Sequence, residues 1–84
     1  MHDFLFTFET THQALKGEKY LKSLSYKVKL IPTPFEIFAE CGFSLAVQLG
    51  EEGLEKVKND KNWLHADCYL IIQESGGKKH YERV

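Results

Sequence analysis

Pro32-Thr33-Pro34 is the feature that most limits the folds open to this chain. Two prolines one residue apart hold φ at roughly −65°, remove two N–H donors and push Ile31 and Thr33 away from helical backbone. A strand arriving at Ile31 must stop there. The stretch from the prolines to Cys41-Gly42 is a loop of about ten residues, longer than most connections in a compact domain, and loops of that length are more often functional than not. After it, the alternation of Phe43, Leu45, Val47 and Leu49 starts a strand at once, predicted over Gly42 to Leu49. Gly42 lets a ligand approach the backbone beside the Cys41 sulfur, and a thiol at a loop-to-strand junction is a candidate reactive group.

The flanking segments supply the remaining elements. Phe4, Phe6 and Phe8 alternate on one face of a first strand. Thr10 with Gln13 forms a capping-box pattern that opens a helix expected to reach about Ser23, with an apolar stripe of Ala14, Leu15, Leu21 and Leu24 and with Gly17 allowing close approach to the sheet. Tyr26, Val28 and Leu30 alternate with Lys27 and Lys29 in an edge strand, whose lysines discourage edge-to-edge association. Glu51-Glu52 at one end and Lys58 at the other complement the dipole of a second, short helix ending near Asp60. Asn62 to His65 is a connection, and Ala66 to Gln73 is a fourth strand.

The order β-α-β-β-α-β predicts an α+β fold: a ferredoxin-like sandwich with a four-stranded antiparallel sheet, strand order 4-1-3-2, and two helices on one face. Residues 1–74 form this single domain, and residues 75–84, opened by Ser75-Gly76-Gly77, are expected to be a flexible tail. One rim of such a sheet gathers Thr10, Thr11, His12, Pro32, Cys41 and Cys68. The outer face is expected to present Leu5, Thr7, Ile31 and Ala46.

With 84 residues there is one domain and little room for a deep pocket. Eleven basic against twelve acidic residues leave no polyanion footprint, so nucleic acid is disfavoured. The Phe4 to Phe8 run is too short for a signal peptide or a membrane span, and the two cysteines read as free thiols in a reducing cytoplasm. Cys41, Cys68, His12 and His65 are suitable zinc ligands, but none stands in a CxxC or HxxxH pair, so no metal and no cofactor is expected.

The strings Thr10-Thr11-His12-Gln13-Ala14-Leu15-Lys16-Gly17-Glu18-Lys19, Val28-Lys29-Leu30-Ile31-Pro32-Thr33-Pro34 and Cys41-Gly42 with Leu45-Ala46 resemble the selenium/sulfur (Se/S) carrier protein-like family, a small bacterial domain family. The resemblance covers about residues 3 to 73. It implies a role for the cysteine before glycine and an association with selenium and sulfur transfer proteins. The family usually has a basic residue after the second proline and small hydroxyl residues before the cysteine. Here Phe35 and Phe38-Ala39-Glu40 stand in those places, which removes a cation and makes the loop more apolar.

From these readings we expect a cytoplasmic carrier, rather than a complete enzyme, that holds sulfur or selenium as a persulfide-type adduct on Cys41. It would pass the atom from a donor protein to an acceptor protein. Only a thiolate does this chemistry, so Thr10, Thr11 and His12, at the start of the first helix, are expected to stabilise the anion, while Gly42 gives access to the sulfur. Pro32, Pro34, Phe35 and Phe38 are expected to contact the partner. Cys68 is expected to pack in the fourth strand. The alternative is a non-catalytic binding or regulatory module, without membrane association, whose apolar loop or outer face supports partner binding or a weak homodimer.

Overall fold

The alternating phenylalanines become the centre of the sheet. In a computed structural model that describes residues 1–37, 42–60, 63 and 66–84, strand β1 (His2–Thr7) lies between β3 (Phe43–Leu49) and β4 (Asp67–Gln73). Phe6 stands opposite Leu45 on one side and Cys68 on the other, and Phe4 opposite Val47 and Leu70. Strand β2 (Val28–Pro32) pairs with β3, and β5 (Lys79–Arg83) pairs with β4. All four pairings are antiparallel, and the order is β2-β3-β1-β4-β5.

The sheet therefore has five strands, not four, and residues 75–84 are not a free tail. Ser75–Gly77 makes a 3-10 turn in which Gly76 and Gly77 adopt φ of 85° and 82°. That is backbone glycine enters without steric cost. The glycines make the turn tight rather than loose, returning the chain so that Ile71 faces Tyr81 and Val84 donates its N–H to the Cys68 carbonyl at 3.0 Å. Arg83 reaches back to Asp67 at 2.8 Å.

Helix α1 (Thr11–Ser23) begins as its cap predicts: Thr10 Oγ1 accepts the Gln13 N–H at 3.1 Å. Gln13 reaches back one residue further than a capping box requires, accepting the Glu9 N–H at 3.2 Å. The buried stripe is Ala14, Gly17 and Leu21; Leu15, expected within it, is 47% exposed because it is rotated about 100° from Ala14 around the helix axis. Gly17 does permit a close approach, since a Cβ there would stand 3.0 Å from Phe8 Cζ and 3.1 Å from Leu45 Cδ1. Helix α2 (Glu51–Lys58) stops slightly short of Asp60 and buries Val57. Side chains from both helices join Phe4, Phe6, Leu45 and Leu49 in one cluster, so both cover the same sheet face. Trp63 enters that cluster as well, with edge-to-face contacts to Phe6 at 5.0 Å and Phe8 at 6.0 Å between ring centroids.

The outer face is not open as expected. Leu5, Thr7 and Ser44 on it are buried. The chain after Pro34 turns, with the Ile37 N–H bonded to the Pro34 carbonyl at 3.0 Å, and folds back across this face. Ile37 is buried there and shares a cleft with Tyr69, Tyr81 and Arg83 of β4 and β5. The rim end of the outer face is therefore covered, while Ala46, further along β3, remains partly exposed.

Candidate functional site

The register brings one rim together. Thr7 at the end of β1 pairs with Ser44 and Asp67 near the starts of β3 and β4, and Pro32 at the end of β2 pairs with Phe43. Helix α1 starts from the same rim, four residues beyond Thr7. One further backbone bond, Thr33 N–H to the Gly42 carbonyl at 2.9 Å, extends the β2–β3 ladder past both strands. Beside it the Thr33 and Ser44 hydroxyls are 2.7 Å apart, with Ser44 fully buried. These contacts close a neck that joins Thr33 to Gly42 and Ser44. Cys41, the candidate reactive residue, and Phe38, a candidate partner contact, lie outside the described residues.

The predicted supporting residues divide into two kinds. Thr10 is engaged in capping α1, and it is exposed, as are Thr11 and His12. Gly42 sits in open space: a Cβ there would meet nothing within 4 Å among the described residues, and its φ is not left-handed. Neither conformation nor packing requires glycine at this position. Among the expected partner contacts, Pro32 is exposed, Pro34 partly so, and Phe35 is 96% exposed. Phe43, opposite Pro32, is 40% exposed and extends this apolar surface.

Cys68 has the packing role expected of it. It is 3% exposed on the helix side of the sheet, and burial pushes its thiol up to about 11, offset in part by Lys58. Among the described residues no group of three or more His, Cys, Asp and Glu side chains is arranged to hold a metal ion. No helix among them is long and apolar enough to cross a membrane.

Several site neighbours escaped the sequence reading. A cleft of about 610 Å³ separates the loop from β4 and β5, with Glu36 and Ile37 on one wall and Tyr69, Tyr81 and Arg83 on the other. Burial, then the Glu36 carboxylate, raises the Tyr81 phenol above its usual range. On the opposite face Tyr20 hydrogen-bonds Asp60, and burial followed by that bond pushes the phenol up to about 12. Only Ile37 carried a sequence signal, as one of the loop's apolar residues.

No curated protein and no solved structure gave a match to the chain. A family model described as "Putative Se/S carrier protein-like" matches residues 3–69, from the second residue of β1 into β4, leaving β5 outside the matched span. On that match over most of its length, the chain belongs to the Se/S carrier protein-like family.

Proposed function

We propose that this protein carries sulfur or selenium on Cys41 between partner proteins. The observation that carries this reading is the state of the other cysteine: the family match points to thiol chemistry, the sequence holds two cysteines, and Cys68 is buried with its thiol raised to about 11. The thiolate is the nucleophile in sulfur exchange, so the chemistry falls to Cys41.

The exchange is balanced without an external oxidant. The Cys41 thiolate attacks the terminal sulfur of a donor cysteine persulfide. The new S–S bond forms as the donor's S–S bond breaks, and the donor cysteine leaves as a thiolate with the electron pair. Transfer onward repeats the step, with the acceptor thiolate attacking and Cys41 leaving. Selenium moves in the same way from a donor that holds it as the terminal atom. The start of α1 at Thr10, Thr11 and His12 favours an anion at this rim by about 0.3–1 kcal/mol, up to about 2 where partly buried. Gly42 itself stands in open space among the described residues. Phe35, with Pro32, Pro34 and Phe38, meets the partner, in a cytoplasmic setting and on a ferredoxin-like plan extended by β5.

The test is incubation with a persulfide-loaded donor enzyme followed by intact mass. The wild-type protein and Cys68→Ser gain the mass of one sulfur atom, and a thiol acceptor removes it. Cys41→Ser gains nothing. An equal gain in Cys41→Ser refutes Cys41 as the carrier site and assigns the sulfur to Cys68, whereas no gain in the wild-type protein refutes carriage and moves the protein to the binding-module class, for which the nearly complete exposure of Phe35 speaks on its own.

A further inference from the structure

The outer face beyond Ile37 holds a groove of about 700 Å³. It starts at Lys27, just before β2, and Lys29 on β2, crosses Ala46 on β3, Asp3 on β1 and Ile71 on β4, and ends at Lys79 on β5. Lys22 of α1 adds a fourth ammonium at the β2 edge, held 3.6 Å from Glu18. Lys27, Lys29 and Lys79 have no salt-bridge partner among the described residues. With Lys22 paired to Glu18, the three remaining lysines against Asp3 give the groove a net charge of +2 in a chain whose total is −1, so the rest of the molecule carries −3.

Shape and charge select the occupant. From β2 to β5 there are four inter-strand spacings of about 4.8 Å, or roughly 19 Å, the length of an extended segment of about six residues. The floor is mixed, with Ala46 and Ile71 partly exposed between polar neighbours, and the cations stand at both ends. A second copy of this chain is a poor occupant, because a two-fold contact through the same patch sets +2 against +2. A long nucleic acid would leave the groove and run over the acidic remainder. A short acidic stretch of a partner protein stays within the groove and satisfies it.

We infer that this groove docks an extended acidic segment of a partner protein. The inference does not depend on Cys41 chemistry, and three of the four lysines lie within the family-matched span while Lys79 comes from β5 outside it.

The test uses a fluorescent peptide of about six residues alternating glutamate and leucine, with glutamine replacing glutamate in the control, followed by anisotropy. The acidic peptide binds, the control does not, and binding weakens as salt rises because exposed charges are screened within roughly 8 Å at physiological ionic strength. Lys27→Gln with Lys29→Gln weakens binding about fivefold to tenfold. Lys16→Gln with Lys19→Gln, on the exposed side of α1, leaves it within about twofold. Equal losses in the two double variants, equal binding of the control peptide, or no salt dependence in the unmodified protein overturns the inference. So does tighter binding of a single-stranded RNA of equal charge, or a dimer that the peptide dissociates. Far-UV circular dichroism confirms that both double variants fold, and the salt series needs no variant.

Discussion

Cys68 should be a nearly silent thiol in the folded protein and an ordinary one in the unfolded chain. Its pKa moves from 9.0 to about 11 on folding. At neutral pH, below both values, two units of displacement reduce the thiolate fraction about a hundredfold. Opening to solvent offers a second route to labelling. If the domain's stability is about 5 kcal/mol, that route is about five-thousandfold slower than in the unfolded chain and does not rescue the rate. Alkylation of Cys41→Ser with excess iodoacetamide, followed by intact mass, should therefore be at least about a hundredfold slower in native buffer than in concentrated urea. The same displacement sets a pH dependence. Between pH 9 and 11 the folded state holds a proton that the unfolded state has lost. Unfolding free energy then falls with rising pH by about 1.4 kcal/mol per unit, roughly 3 kcal/mol in all. Native labelling within about tenfold of the urea rate would refute the burial argument and return Cys68 to the list of candidate carriers.

Substitutions at Thr10 and Ile37, each paired with a control, test the elements that shape the rim. Thr10→Ala removes the oxygen that accepts the Gln13 N–H and should cost about 1 kcal/mol in urea unfolding, whereas Thr10→Gly should cost a few tenths; equal losses would mean the hydroxyl is not capping α1. Ile37→Ala should cost about 2 kcal/mol, the lower end for a buried isoleucine because the loop covers it from one side, while fully exposed Phe35→Ala should stay within about 0.5 kcal/mol. A negligible effect at Ile37 would mean that the loop is not docked on the outer face.

The parts legible in the sequence are those with strong local signals. Phe4, Phe6 and Phe8 impose a period of two that only a half-buried strand explains, and Thr10 with Gln13 marks the start of α1 without reference to anything distant. Lys79-His80-Tyr81-Glu82-Arg83 has no such signal. An edge strand with only Tyr81 turned toward cover is polar almost throughout, and its two left-handed glycines are indistinguishable by composition from those of a free tail. Missing β5 also hid the docking of Ile37, since the surface it meets is built partly from Tyr81 and Arg83. Trp63 looked like part of a connection because a single aromatic between short segments has no periodicity, yet it fills the core between Phe6, Phe8 and Tyr20. At the site, Cys41-Gly42 stood out by chemistry and Phe35 by its departure from the family pattern. The neck at Thr33, Gly42 and Ser44 depends on the pairing of β2 with β3 and needed the fold.

The outer face then gains a consistent physical account. Phe35 is almost fully exposed, yet it lies between two fixed points, the neck at Thr33 and the buried Ile37. A backbone pinned on both sides gives up little freedom when a partner covers Phe35, and ordering cost is one of the main terms opposing association. The lysine groove occupies the rest of the same face, its near edge at Ala46, two residues along β3 from Ser44 of the rim. A partner with an apolar pocket for Phe35 and an acidic segment for the groove would engage two spots joined by one rigid sheet. The second contact then forms at high effective concentration, so two weak contacts produce an association far tighter than either alone. Under the proposed carrier function such a division would let charge bring the partner to the groove and orient it while the apolar contact at Phe35 holds it, so that exchange of partners would be governed by contacts that salt and a few side chains can tune.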